Sequence, residues 1–255
     1  MRCFYFTSCG DRIVINQDAL ALPYRAFAGE TVTPREFLPF RALHALRHPQ
    51  LCGVIDGMGG YTGGDVAARL VAETFSSVTC PDLVTEPFLT CLLETAQARL
   101  AKEALVHREL IKMGAVAAGA IVKRNQAVVF NCGDSRVYHW HDGELRRVSY
   151  DHSIVQGLHD SGEISEEEMR HHPLKNRVTG AIRTSSELTP LRLWSCHVQL
   201  NKGDVLFLCT DGVWEALAHS ELEAAFHTPK PEIALHEALR GVFCDDNVTF
   251  IVLRD

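Results

Sequence analysis

The sequence predicts an α+β fold in which antiparallel sheets carry flanking helices. Three observations predict it. Strand-like runs come in consecutive clusters joined by short turns. Two long helix-patterned stretches fall together between the early and the middle strands. The strict β-α-β alternation of a doubly wound parallel sheet is absent.

The strand-like runs are residues 3–7, 51–55, 117–122, 127–132, 136–140, 191–200, 204–210 and 248–253. They are rich in β-branched and aromatic residues and are bounded by Gly, Asn or Asp. Asn125 separates two of them, and Asp142-Gly143 is a strong hairpin signal before the segment containing Leu145. Helical periodicity marks 65–78, 86–111, 166–171, 221–226 and 232–242. In the longest of these, Phe88, Cys91, Leu92 and Leu105 are expected near one apolar stripe. No repeat and no Pro/Gly/Ser-rich linker divides the chain, so one domain over 1–255 is expected.

Composition bounds the function. Apolar residues make up 46% and charged residues 22%, enough to build a core and too apolar for a disordered chain. With 25 basic against 32 acidic residues the net charge is −7, which argues against nucleic acid as the main partner. That charge serves solubility, or it gathers carboxylates around cations. No apolar run approaches the roughly 20 residues of a membrane helix. The first ten residues lack the charged start, apolar middle and cleavage site of a signal peptide. Nine cysteines, without a C-x-x-C pair and several of them inside apolar runs, read as buried free thiols of a reducing compartment. A cytoplasmic protein that does not bind membranes is expected.

Five aspartates share a context. Asp56 ends 51–55, Asp211 ends 206–210, Asp134 follows 130–133, Asp246 precedes 248–253, and Asp18 follows Ile13-Val14-Ile15-Asn16-Gln17. Each carboxylate stands at the edge of an apolar run. If those ends converge, the charges repel strongly, and oxygen-seeking Mg²⁺ or Mn²⁺ would resolve the repulsion. The plainer alternative is that Asp and Gly punctuate turns. The segment from Asp56 to Asp65 is not a dinucleotide loop, because Thr62 stands where the third Gly of G-x-G-x-x-G belongs. Met58 also breaks the D-x-D of a phosphoaspartyl hydrolase.

These residues resemble the metal-dependent Ser/Thr protein phosphatases of type 2C. The matching pieces are Asn16-Gln17-Asp18, Asp56-Gly57-Met58-Gly59-Gly60, Gly133-Asp134-Ser135-Arg136, Asp151-His152-Ser153, the 162–173 stretch, Thr210-Asp211-Gly212 and Asp246-Asn247. They stand in the family's order across nearly the whole chain. D-G-M-G-G with no His after the first Gly is similar to the bacterial branch. The resemblance implies a four-layer α-β-β-α sandwich of two antiparallel sheets, with the metals at one end. It implies two Mn²⁺ or Mg²⁺ ions bridged by Asp56, with the Gly57 carbonyl, Asp211 and Asp246 in their shells. Asp18 would hold water near the ions, and Asp134 with Asp211 would take a third, weaker ion. The activity implied is hydrolysis of phosphoserine and phosphothreonine on proteins by water activated between two metals, with Asp56, Asp211, Asp246 and Arg12 as the catalytic set. The partners implied are phosphoprotein targets of a Ser/Thr kinase in bacterial signalling, met by a monomer.

Two departures stand out. Gln17 occupies the family's Glu position, which removes one negative charge. The family's phosphate-binding Arg would fall at Ile13, and Arg12 is one residue away. On a strand that shift reverses the side chain, so Arg12 would serve only if a bulge re-aims it. Both departures keep a second reading open: a pseudophosphatase acting as a phosphoprotein-binding or regulatory module. A mobile flap is implied over 151–180. In it, Asp151-His152 reads as a helix-capping pair, Glu166-Glu167-Glu168 as a solvated first turn, and His171-His172-Pro173 as a helix end. An insert over 23–50 is expected as a surface loop, with a short helix near 34–46, or as a basic grip for acidic substrate or partner segments.

Overall fold

The structure is a computed structural model, and it describes residues 1–29, 31–36, 48–59, 63–185, 187 and 189–254. The chain opens with β1 (Arg2–Ser8), β2 (Asp18–Leu22), β3 (Arg25–Ala28), β4 (Val32–Glu36) and β5 (Gln50–Met58). Two helices follow, α1 (Gly64–Ser77) and α2 (Glu86–Val106), then a 3-10 turn at Arg108–Leu110. Next come β6 (Gly114–Lys123), β7 (Gln126–Cys132), β8 (Arg136–His141) and β9 (Glu144–Arg147). Short helices α3 (Ile154–Asp160) and α4 (Glu166–His171) precede β10 (Ile182–Arg183), β11 (Trp194–Gln199) and β12 (Val205–Cys209). The chain closes with α5 (Asp211–Ala216), α6 (His219–Phe226), α7 (Pro231–Arg240) and β13 (Val248–Arg254).

Two sheets result. One has the order β4-β1-β13-β12-β8-β9, the other β11-β7-β6-β5-β2-β3, with β10 paired to β6. Every pairing among the described residues is antiparallel. Three apolar layers hold them together. Ala19, Ala21, Ile55 and Phe130 pack with α1 and α2 on the outside of the second sheet. Leu20, Val54, Val129, Leu208 and Ile251 fill the space between the sheets. Phe207, Phe250 and Val252 pack with Trp214, Leu222 and Leu235 of α5 to α7 outside the first. The four-layer α-β-β-α sandwich expected from the resemblance is the fold observed.

The sequence pattern explains this. Along β13 the residues alternate between two buried layers, Phe250 and Val252 outward, Ile251 and Leu253 inward. Both faces are apolar, so the strand reads as an unbroken run rather than an alternating one. Each fully buried Leu, Ile or Phe contributes about 1.5–3 kcal/mol. On α2 the buried positions are Leu89, Leu92, Leu93, Ala96, Leu100 and Ala104, spaced by three or four. Cys91 and Leu105, expected on that stripe, are exposed instead. The helix ends at Val106 rather than Ile111, where Leu105 and Val106 no longer face the core.

Other expectations need correction. The apolar triplet 13–15 belongs to no strand: Val14 is 92% exposed, and β2 begins at Asp18 itself. The insert is not a loop throughout. Its residues Arg25–Ala28 extend the second sheet at β2, and Val32–Glu36 extend the first at β1. Of the helix expected near 34–46, residues 34–36 belong to β4 and 37–47 lie outside the described residues. Deleting 31–49 would therefore remove a paired strand as well as a basic segment. Ser153, not Asp151, caps α3, accepting from the Gln156 N–H. The Glu triplet does open α4, where Ser165 and Glu168 form a capping box. All nine cysteines are free, and burial pushes the Cys80 thiol up to about 11 and Cys132 up to about 12. No described helix is long and apolar enough to cross a membrane.

Candidate metal centre

The register of the strands brings the five aspartates to one end of the sandwich. On the second sheet Asp18 stands opposite Asp56, Asp56 stands opposite Val116, and Gly133-Asp134 follows the end of β7 beside Val116. On the first sheet Cys209 pairs with both Phe250 and Arg136, which places Asp211, just beyond β12, near the start of β13, where Asp246 precedes Val248. Both sheets thus present carboxylates at the same mouth. A cavity of about 710 Å³ opens there, lined by Arg12, Gln17, Lys175, Glu215, Asp245 and Asp246 among others.

A polar frame fixes the carboxylates. Thr210 Oγ1 donates to Asp18 Oδ2 at 2.9 Å, and the Asp18 N–H donates to Asn16 Oδ1 at 3.1 Å. The Asn16 amide donates to Thr7 Oγ1 at 2.7 Å, and that hydroxyl meets Thr249 Oγ1 at 2.7 Å. Asn247 Oδ1 accepts the Gln17 N–H at 2.7 Å, and the Gly57 N–H donates to the Gln17 carbonyl at 3.1 Å. The Asp56-Gly57 corner is packed to the backbone: a Cβ on Gly57 would stand 2.0 Å from the Gly64 carbonyl oxygen. A Cβ on Gly64 would meet the Gln17 amide nitrogen at 2.8 Å, so Gln17 reaches across to the start of α1.

The electrostatics are unusual. Asp18 and Asp134 are each pushed up to about 7, first by burial, and then by Asp246 and by Asp151 respectively. Asp56 rises well above the carboxylate range through burial and the charges of Asp18, Asp246, Asp134 and Glu215. Asp211 does so through burial and through Asp56, Glu215, Asp134 and Asp246. Buried Asp134 Oδ1 and Glu215 Oε1 have no hydrogen-bond partner among the described residues. The donors are all hard oxygens, and they repel in the absence of cations. That fits Mg²⁺ or Mn²⁺ with waters completing the shells.

Sequence reasoning missed Glu215 and Lys175. Glu215 lies four residues after Asp211 on α5, so one helical turn puts both carboxylates on one face. The Lys175 ammonium pairs with Glu215 Oε2. The D-x-x-x-E spacing was the available signal. Arg12 lines the cavity, but its Nη1 pairs with Asp245 Oδ1 at 3.3 Å. It sits in a turn rather than a strand, so the face-reversal argument and the bulge do not apply. His152 is no metal ligand here: its Nδ1 accepts the Gly133 N–H at 3.1 Å, and burial lowers its pKa to about 4.

Gly133 holds Asp134 at the mouth. Its φ is +113°, and a Cβ there would stand 2.2 Å from Val116 Cβ. Gly133→Ala is expected to cost about 1–3 kcal/mol and to displace Asp134. Thermal unfolding together with turnover measures it; a variant equal to wild type in both would contradict this packing.

Comparison with known proteins identifies the family. Residues 41–242 match the protein phosphatase 2C family. The chain is 34% identical over 177 residues to the "Serine/threonine phosphatase stp" of Listeria monocytogenes, covering 67% of this chain and 69% of that one. The solved structure of PppA, described as a key regulatory component of T6SS in Pseudomonas aeruginosa, superposes with a TM-score of 0.75 at 27% identity over 99% of this chain and 96% of that chain. The catalytic domain of the phosphatase PstP, solved in complex with two manganese ions, superposes with a TM-score of 0.75 at 23% identity over 99% and 98%. The ordered motifs, the sandwich and the match along most of the sequence lead to one conclusion: the chain belongs to the protein phosphatase 2C family, in its bacterial branch, and is a serine/threonine phosphatase.

Proposed function

We propose that the protein hydrolyses phosphoserine and phosphothreonine on proteins in the carboxylate cleft, with two divalent cations held by Asp56, the Gly57 carbonyl, Asp211 and Asp246. Asp134 with Asp211 is the place for a third. The observation that carries this reading is Asp56 and Asp211. Asp211 is buried and Asp56 half-buried, both are crowded by neighbouring carboxylates, and neither has an ion-pair partner among the described residues. Divalent cations bound there would supply a nucleophilic water near neutral pH and charge stabilisation at phosphorus.

The chain's own residues do the rest. Asp18, held by Thr210 and Asn16, is fixed to accept a proton or hydrogen bond from water at the mouth. The Gln17 amide, anchored beside Gly64, can orient a water without adding charge. Arg12 and Lys175 are the cations lining the cavity, each paired with a carboxylate that an incoming phosphate can replace. No histidine lines the cavity among the described residues, and on this reading a water is the proton donor to the leaving oxygen.

The manganese-bound PstP domain supports metal dependence and Mn²⁺ as a first ion to test. Phosphoprotein targets of a Ser/Thr kinase, met by a monomeric catalytic unit within the cell, complete the proposal. The test is hydrolysis of para-nitrophenyl phosphate and of a phosphothreonine peptide by wild type and Asp246→Asn, with and without Mn²⁺. Turnover is expected only with metal, falling at least about 100-fold in the variant. A wild-type protein inactive with every divalent cation, yet still binding phosphopeptide, would establish the pseudophosphatase instead.

A further inference from the structure

A second cluster lies at the opposite end of the same strands. His139 and His141 are two apart on β8, so both rings leave the same face of the sheet. Asp204 immediately precedes β12, whose Val205 stands opposite Trp140. His139 Nε2 lies 3.0 Å from Asp204 Oδ2, and His141 Nδ1 lies 2.8 Å from Asp204 Oδ1. Among the described residues this is the one trio of His, Cys, Asp or Glu donors whose ligand atoms all fall within 4.8 Å of one another. Strand β8 runs from Arg136, beside the carboxylate cleft, to His141, so the two places are separated by about 15 Å of extended chain.

We propose that His139 Nε2, His141 Nδ1 and one oxygen of Asp204 form a zinc site, with a fourth position left to water. Two imidazoles and a carboxylate are a donor set for Zn²⁺ and its first-row neighbours, whereas the all-oxygen cleft suits Mg²⁺ and Mn²⁺. The surroundings are built for ligation. The second nitrogen of His141, Nε2, lies 3.2 Å from Asp142 Oδ2, which fixes Nδ1 as the ligating atom and orients the ring. Asp204 Oδ2 accepts the Asn201 N–H at 2.9 Å, which holds the carboxylate in place. The two rings lie nearly parallel, 17° apart, with centroids at 5.5 Å. The Asp204 side chain is 5% exposed and that of His141 35%, so the site is buried at its base and open at its lip. The neighbouring cation, Arg146 on β9 opposite His139, is neutralised by Glu144. Zinc binding would replace the protons shared in the two His–Asp contacts and clip the end of β8 to the turn before β12.

The test compares wild type, His141→Gln and the double variant His139→Gln/His141→Gln, each dialysed against zinc chloride. Wild type is expected to retain one more zinc equivalent than the double variant by elemental analysis. Its zinc-edge X-ray absorption should show imidazole scattering that the double variant lacks. Zinc at a hundred times Kd should raise the wild-type Tm by about 5–10 °C and leave the double variant's unchanged. His141→Gln keeps the His139–Asp204 contact and the fold, is expected to retain Mn²⁺-dependent turnover, and should bind zinc at least about tenfold more weakly. Equal zinc content in wild type and variants, or no imidazole signature in wild type, would leave only a hydrogen-bonded triad and overturn the site.

Discussion

Asp56→Asn is expected to abolish turnover while making the metal-free protein harder to unfold. The loss should be at least about 100-fold, the scale on which one preorganised charge contact at a reacting centre acts. The gain in stability follows from the same geometry. In metal-free protein the Asp56 carboxyl is buried against Asp18, Asp246, Asp134 and Glu215, all raising its pKa. A carboxyl whose pKa is raised on folding binds more protons folded than unfolded, so its contribution to stability is lost as pH rises. Asp18 and Asp134 move from 3.8 to about 7, so metal-free wild type should lose Tm as pH rises through that interval. Asp56→Asn removes one of these raised carboxyls, which should flatten this slope and raise Tm at neutral pH by a few degrees. Cations added in excess should reverse the ranking, because only wild type gains their full binding energy. Unfolding in chelator and in Mn²⁺ across pH measures both halves. A metal-free Asp56→Asn less stable than wild type at neutral pH would contradict the carboxylate cluster.

Arg136→Ala is expected to be the most destabilising single substitution outside the apolar layers. Arg136 Nε and Nη2 both donate to Asp151 Oδ2, at 2.9 and 2.7 Å, with the Arg side chain 4% exposed and the Asp side chain fully buried. The guanidinium also lies 3.7 Å from the centroid of the Trp214 ring. Removing one partner of such a pair leaves the other buried and uncompensated, at about 3–5 kcal/mol. At about 2–4 °C per kcal/mol that lowers Tm by roughly 6–20 °C. Arg147, which donates to the same oxygen at 3.2 Å, offsets a part of it. The cleft feels the loss as well. His152 N–H donates to the Gly133 carbonyl at 2.8 Å, and the Thr179 N–H donates to the His152 carbonyl at 2.7 Å, so Asp151 anchors the base of the 151–180 segment beside Asp134. Arg136→Lys keeps the charge but not the fork, and should recover only a fraction. Chemical denaturation would show a change under about 0.5 kcal/mol if the pair were structurally idle.

The sandwich was legible because its central strands are buried on both faces. Runs such as 127–132 and 248–253 leave little choice but a strand. The elements that escaped are those whose stability comes from their neighbours. Asp18–Leu22 is short, with alanine at two of its five positions, and it is a strand because β5 and β3 flank it. Asp211–Ala216 is only six residues long, and its helix is held by the packing of Val213 and Trp214. Missing that helix also hid Glu215. Conversely, Ile13-Val14-Ile15 is apolar enough for a strand, yet it forms the rim of the cavity. The aspartates themselves were readable from their common place beside apolar runs. What the sequence alone could not supply was the register that puts Asp18 opposite Asp56, or the turn that hands Arg12 to Asp245.

The segment between β2 and β5 has a consequence for solubility. Its two strands attach to different sheets, β3 beside β2 and β4 beside β1, and so occupy the margin of each. Without them, β1 and β2 would offer unsatisfied N–H and C=O groups to a neighbouring molecule, a template for strand exchange between copies. The replacement margin on the second sheet is only four residues long and begins with Arg25, laid over the Phe27 ring. Brevity and a positive charge make this margin a poor template for strand exchange.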